Sequence, residues 1–302
     1  MSALTLTDVA KFSPNVRTEM IDEAAKNCPE FNVLPWKSVP GYTYLTIVRT
    51  ANPTVSFRDV NEGADSTHST YINRTITCSV LNPRWECDKA VADAHIDGAE
   101  AYIAMEALAQ MQGAIVTAST QLWYGTDADA KGFAGLASQV DSGMVVDAGG
   151  TTANTGSSVY IVCASQPDYL TWVLGADGNF EIGDVRIESI TDANDKRYSA
   201  YVQDGTFWVG CQLGHAKSVA RIRDLTADSG KGLTDDLIYQ AFEKFPVALQ
   251  PTAIFMNKRS LAQLRASRQA TNATGAPAPT PTEVEGVPIY PTEALKNTEA
   301  LV

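Results

Sequence analysis

The stretch DGAEAYIAMEALAQMQGAIVTASTQLWYG, Asp97 to Gly125, decides how the rest of the chain is read. Ile96, Ala99, Ile103, Ala107, Met111, Ala114, Ala118 and Leu122 recur at steps of three and four, the spacing of one helical face. No proline interrupts them, and Asp97 with Glu100 has the spacing of a capping box. The pattern predicts one helix over residues 97–122, closed by Trp123-Tyr124-Gly125. About 26 residues at ~1.5 Å each make a rod of ~39 Å, far longer than an average globular helix. Such a rod is a beam on which other elements hang.

Upstream of the beam, Tyr42–Val48 and Ser69–Val80 are rich in β-branched and aromatic residues and read as strands. The polar stretch Arg49–His68 between them carries Pro53 and Gly63, so residues 41–88 are read as one long β-hairpin. A lone two-stranded hairpin is marginally stable. This one must lie on its own body or on a neighbouring subunit. Residues 1–40 read as an irregular arm, with weak helical periodicity at Val16–Ala25, a break at Asn27-Cys28-Pro29-Glu30 and extended chain at Leu34-Pro35-Trp36.

Downstream, residues 126–156 read as a loop with a short apolar piece at Met144-Val145-Val146. Strands are expected at Ser158–Cys163, Tyr169–Leu174, Val185–Ile190, Arg197–Gln203, Thr206–Leu213 and Ser218–Leu225, with Asp204-Gly205 as a hairpin turn. Thr234 caps a helix whose apolar face is Leu237, Ile238, Ala241, Phe242 and Phe245. A strand at Pro251–Met256, a helix at Ser260–Gln269, a linker at Ala270–Thr282 and a strand at Val284–Tyr290 complete the chain. The basic stretch Lys258–Arg268 reads as a solvated helix face.

Composition narrows the function. Among 302 residues, 23 Lys and Arg against 35 Asp and Glu give a net charge of −12. That excess disfavours a nucleic-acid binder, which gains affinity by neutralising phosphates. It suits a protein kept soluble at high concentration, or one lying near DNA without adhering. No apolar run has the length of a membrane span, and the first residues lack a signal-peptide pattern, which points to use inside a cell. Cys28, Cys78, Cys87, Cys163 and Cys211 include no C-x-x-C pair and are expected as reduced thiols. His68, His95 and His215 are far apart, and no zinc helix, nucleophile elbow, phosphate loop or dinucleotide fingerprint is present. Asp127/Asp129 and Asp235/Asp236 read as a solvated loop and an acidic first turn. No catalytic, metal or cofactor-binding residue is expected.

The order of arm, hairpin, long helix, then strand and helix blocks resembles the tailed-bacteriophage major capsid proteins of the Johnson (Hong Kong-type) fold. The residues that carry the resemblance are Gly41-Tyr42-Thr43-Tyr44, Arg58-Asp59-Val60-Asn61-Glu62-Gly63, Gln121-Leu122-Trp123-Tyr124-Gly125, Gly132-Phe133-Ala134-Gly135-Leu136, Leu233–Phe245, Pro251–Arg268 and Gly286–Thr292. The resemblance implies an α+β chain. Its parts would be an N-terminal arm (1–40), an E-loop hairpin (41–88), a P domain of spine helix and strands (89–125 and 157–226) and an axial domain (126–156 and 227–302). On this resemblance the strand order is permuted, because the strand block precedes the axial helices.

The same resemblance implies a structural protein without enzymatic activity or cofactor. Pentamers and hexamers of it would form an icosahedral head around double-stranded DNA. The expected partners are further copies of the chain, a separate scaffolding protein, a portal, a cement protein, and packaged DNA held without sequence-specific binding; no membrane is involved. The expected location is the virion, after assembly in the host bacterial cytoplasm. Some members cross-link through an E-loop lysine; none lies between Lys37 and Lys89, so no such bond is expected. Arg49, Phe57, Arg58 and Arg74 are the candidate inter-subunit contacts, while Tyr71 and Trp85 are read as packing within the subunit. The alternatives are an encapsulin-type compartment, which shares the fold, and a soluble β-rich enzyme or binding protein.

Overall fold

The structure is a computed structural model that describes residues 26–166, 168–270 and 279–301. The periodic segment Val16–Ala25 and most of the Ala270–Thr282 linker lie outside the described residues. In chain order the elements are α1 (Glu30–Val33), β1 (Trp36–Ser38), β2 (Thr43–Ala51), β3 (Thr70–Thr77), β4 (Ser79–Leu81), β5 (Arg84–Asp88), α2 (Lys89–Asp93) and α3 (Ala99–Tyr124). Next come α4 (Leu136–Gln139), β6 (Val145–Asp147), β7 (Ser157–Val162), β8 (Leu170–Leu174), β9 (Glu181–Ile182), β10 (Arg186–Thr191), β11 (Arg197–Leu213) and β12 (Val219–Leu225). The chain closes with α5 (Asp235–Glu243), β13 (Ala253–Met256), α6 (Lys258–Ala270), β14 (Glu283–Val284) and β15 (Val287–Pro291).

Helix α3 is the expected beam, but it begins differently. Gly98, at φ 87°, occupies the N-cap and no side chain caps the helix. Asp97 is one residue too early for the capping box. The far end matches the expectation, with Gly125 at φ 60° turning the chain out of the helix. A Cβ on Gly125 would lie 2.1 Å from the Gly135 nitrogen, so this crossing requires glycine.

Two sheets meet at that end of α3. Strand β11 pairs with β4, β5, β8, β9 and β10, and β1 pairs with β8, making a seven-stranded sheet. Strands β14, β15, β13, β7, β12 and β6 make a six-stranded sheet. Leu122 and Trp123, with no exposed surface, pack in one core with Trp172, Val209 and Cys211 of the first sheet and Tyr160 and Phe255 of the second. The other side of the six-stranded sheet is covered by α5 and α6 through Ile238, Ala241 and Leu264. Thr234 caps α5 as expected, accepting a hydrogen bond from the Leu237 amide.

The C-terminal residues close the junction. Glu299 accepts from Tyr124 Oη at 2.7 Å, from Ser158 Oγ at 2.6 Å and from Arg221 Nη2 at 3.3 Å. Burial, with the Glu299 charge beside it, holds the Tyr124 phenol well above its usual range.

Several expectations are corrected. The strand block 157–226 divides, β7 and β12 joining β13 and β15 while β8 to β11 build the other sheet. Asp204-Gly205 is not a turn but lies inside β11, a single strand of 17 residues. Its local turn preference is overridden by partners on both flanks: β5 and β4 on one side, β10, β9 and β8 on the other. Gly205 serves a close approach instead, since a Cβ there would stand 3.0 Å from Pro83 Cγ. The described part of the arm is built into the body. Leu34 and Val39 are buried, β1 pairs in parallel with β8, and the Phe31 ring stacks 4.7 Å from Trp172. The basic stretch is not simply solvated. Arg259 donates from Nη2 to the carbonyls of Thr155 and Leu225 at 2.7 and 2.9 Å, and Arg268 makes a two-pronged pair with Asp235.

Candidate inter-subunit surface

Strands β2 and β3 pair antiparallel from Thr43↔Thr77 to Ala51↔Thr70, with a register shift between Arg49 and Ala51. The expected hairpin is shorter at its base than residues 41–88, because β4 and β5 leave it to pair with β11. Its base is anchored. The Cys78 amide donates to the Tyr42 carbonyl at 2.9 Å, and Ile76 and Cys78 join Val39 and Val173 in a small core. The Tyr42 ring lies 4.0 Å from that of Trp208, and Lys37 Nζ donates to Tyr44 Oη at 2.7 Å. A Cβ on Gly175 would meet Trp208 Cβ at 2.9 Å and the Gly41 carbonyl at 3.0 Å, so glycine lets the hairpin root sit against β8.

Alternation sorts the hairpin side chains onto two faces. Tyr44, Thr46, Val48, Arg74 and Ile76 share the face toward the body, and the Arg74 guanidinium donates to the Leu213 carbonyl at the end of β11. Leu45, Ile47 and Tyr71 share the opposite face, where they remain 61%, 67% and 60% exposed. Nothing in their own chain covers this apolar stripe, among the described residues. Between hairpin and body lies an open cleft of about 550 Å³, lined by Arg49, Asp168, Tyr169, Gln212 and His215 among others. Burial and the charge of Lys217 push the His215 imidazole below its usual range.

At the tip, Thr67 Oγ1 donates to the Thr54 carbonyl at 2.6 Å and Arg58 Nη1 to the Glu62 carbonyl at 2.7 Å. Val55, Phe57 and Val60 stand fully clear of the body. The four candidate residues are therefore not one cluster. Phe57 is free at the tip, Arg58 curls onto its own loop, Arg49 pairs with Tyr71 in the stretch 46–52 that borders the cleft, and Arg74 ties the hairpin to its own body. Trp85 packs within the subunit as expected, donating to Gln203 Oε1 at 3.0 Å, but Tyr71 faces out.

Sequence reasoning missed the Leu45/Ile47/Tyr71 stripe, although the signal was present. In Thr43–Val48, apolar residues fall on both alternating sets, the mark of a strand covered on both faces.

Elsewhere, no group of His, Cys, Asp and Glu able to hold a metal occurs among the described residues, and no described helix is long and apolar enough to cross a membrane. The five cysteines are unbonded; Cys28 is half-buried and the others buried. Burial pushes the Cys211 thiol up to about 12.

The sequence matches the protein family described as Major capsid protein GP7 over residues 34–302. No curated protein matches it at a significant level. Among solved structures, the chain is similar to that of bacteriophage Epsilon15, with a TM-score of 0.70 at 20% identity, covering 100% of this chain and 98% of that one. It is also similar to the bacteriophage JBD30 capsid, with a TM-score of 0.54 at 10% identity over 97% and 99% of the two chains. The SrpI encapsulin of Synechococcus elongatus PCC 7942 aligns with a TM-score of 0.50 at 9% identity, over 74% of this chain and 97% of that one. At these identities the likenesses speak for the fold.

Proposed function

The chain belongs to the major capsid protein GP7 family, and we propose that it builds, as pentamers and hexamers, the icosahedral head around the double-stranded DNA of a tailed phage. Its role is structural: copies associate into the capsid shell of the virion. We assign no catalytic step to it. The observation that carries the assembly reading is the hairpin, whose outward apolar stripe and bare tip are covered by nothing in their own chain among the described residues. Exposed apolar surface of this kind marks an interaction site. A shell of identical chains supplies the cover through heterologous contacts that close.

In this reading the β2–β3 hairpin is the E-loop, α3 and the seven-stranded sheet form the P domain, and the six-stranded sheet with α5 and α6 forms the axial domain. Phe57 and Arg58 at the tip make the outer contacts with a neighbour, and Arg49 meets it at the cleft mouth. The net charge of −12 favours DNA packaged without sequence-specific binding. Assembly takes place in the host cytoplasm on a separate scaffolding protein, around a portal, with a cement protein completing the shell.

Electron microscopy of the chain expressed alone and with its candidate scaffolding protein tests this. Shells, or rings of five and six, are expected. Nuclease-protected DNA in particles from infected cells supports the phage head, and a protein cargo in its place supports the encapsulin-type alternative. A monomer under every condition overturns the assembly reading.

A further inference from the structure

Strand β10 pairs with β11 from Arg186↔Val202 to Thr191↔Arg197, and with no other strand among the described residues. The turn that follows shows which way its backbone groups point. The Asp192 amide donates to the Lys196 carbonyl at 2.8 Å, one step beyond Thr191↔Arg197 in the same register. Bonding direction alternates along an antiparallel strand. Residues 188 and 190 therefore aim their N–H and C=O groups at β11. Ile187, Ser189 and Thr191 aim theirs outward, where no group of the described chain meets them. Proline, lysine and bulge, the usual guards of such an edge, are absent from Arg186–Thr191. Ile187, in line across the sheet with Tyr201 and Cys87, is 57% exposed.

An open edge of this kind accepts another strand. The residues on it select which one, because Arg186-Ile187-Glu188 is complementary to its own reversal. We propose that β10 pairs antiparallel with β10 of a second copy about a two-fold axis at Ile187, and that this contact joins one ring of subunits to the next. The proposal rests on the shell-building function proposed above. In this register the two Ile187 residues exchange both backbone bonds, and Arg186 of each copy stands opposite Glu188 of the other. Centring the pair on Arg186 or on Glu188 sets like charges face to face, and centring it on Ser189 sets Glu188 against Ile190. Within the chain, Arg186 already holds Glu188 and Asp204, and Arg84 reaches the same two acids. The side chains of Arg186 and Glu188 nevertheless stay 45% and 37% exposed, open to a second partner across the edge. Symmetry sets the place of the contact. Neighbours round a ring of five or six meet through unlike surfaces, whereas a strand paired with itself is the same patch on both copies.

The test uses the full chain under conditions in which the wild type forms shells. Ile187→Cys is treated with a short bismaleimide, with the wild type as control for the five native thiols. Dimers on a denaturing gel are expected from shells and not from isolated rings. Glu188→Arg and Arg186→Glu should each raise the threshold concentration for shells by about tenfold or more, with ring formation unchanged. The double variant Arg186→Glu, Glu188→Arg should bring the threshold back, because opposite charges again meet across the axis. Inside the chain the swapped charges face Asp204 and Arg84 with like sign, so a purely intramolecular role makes the double variant the worst of the three. If the charge variants do not fold, the cross-link still decides. Wild-type shells with no dimer from Ile187→Cys, or a double variant no better than the single ones, overturn the proposal. A wild type that forms neither rings nor shells overturns the assembly function, and this contact with it.

Discussion

Replacing the outward stripe of the hairpin separates assembly from folding. In the triple variant Leu45→Thr, Ile47→Thr, Tyr71→Thr, each new residue favours a strand as well as the old one, so β2–β3 pairing is kept. Full burial of a large apolar side chain is worth about 1.5–3 kcal/mol. These three side chains are 61%, 67% and 60% exposed in the lone subunit, so most of that gain is still to be made when a neighbour covers them. The loss on substitution is about 3–4 kcal/mol per contact, or roughly 10²–10³ in the association constant. Because they touch little within the chain, subunit stability moves by no more than about 0.5 kcal/mol. Thermal melting of the unassembled subunit, with sedimentation of an assembly reaction across concentrations, reads both quantities. Shells forming at the wild-type threshold would refute the assignment of the stripe to an interface. A large fall in melting temperature would show instead that it packs within the chain.

Three further outcomes are expected. Arg221→Met strands the Glu299 carboxylate, whose side chain is only 8% exposed, and destabilises the subunit by about 3–5 kcal/mol in chemical denaturation; a change below 1 kcal/mol contradicts this. Hydrogen bonds from the Thr152 hydroxyl, the Thr151 amide and the Thr226 hydroxyl hold the Asp228 carboxyl far below the usual carboxylate range. Its clamp on residues 151–152 is therefore complete above that range and released as pH falls below it, and amide exchange there should lose this pH dependence in Asp228→Asn. With no lysine between Lys37 and Lys89, subunits from mature shells should run as single chains on a denaturing gel, and a covalent ladder would contradict the assignment.

What could be read from the sequence was whatever rests on local periodicity. Helix α3 and the paired strands β2 and β3 were legible because their apolar spacing repeats over many residues. The unity of β11 was not, because Asp204-Gly205 carries a strong local turn preference and the partners that overrule it lie elsewhere in sequence, Arg84 opposite Asp204 and Ile182 opposite Gly205. The seating of residues 30–39 was hidden for the same reason: nothing near Glu30 announces a buried acid whose partners are Trp123 and Thr292. At the surface, exposed Phe57 was found by its position between two strands. The bond from Arg74 to the Leu213 carbonyl was not legible, since the register that turns the side chain that way depends on where pairing begins.

Strand β11 has a mechanical consequence. Its 17 residues span ~56 Å, tied at one end to the hairpin through the Arg74 bond to Leu213 and gripped along both flanks by five other strands. A pull along that axis runs down one covalent backbone and loads the flanking hydrogen bonds in shear, so they must yield together rather than peel one by one. The subunit therefore has a stiff direction and a compliant one. Tension entering at the root of the β2–β3 hairpin crosses the seven-stranded sheet along the stiff one.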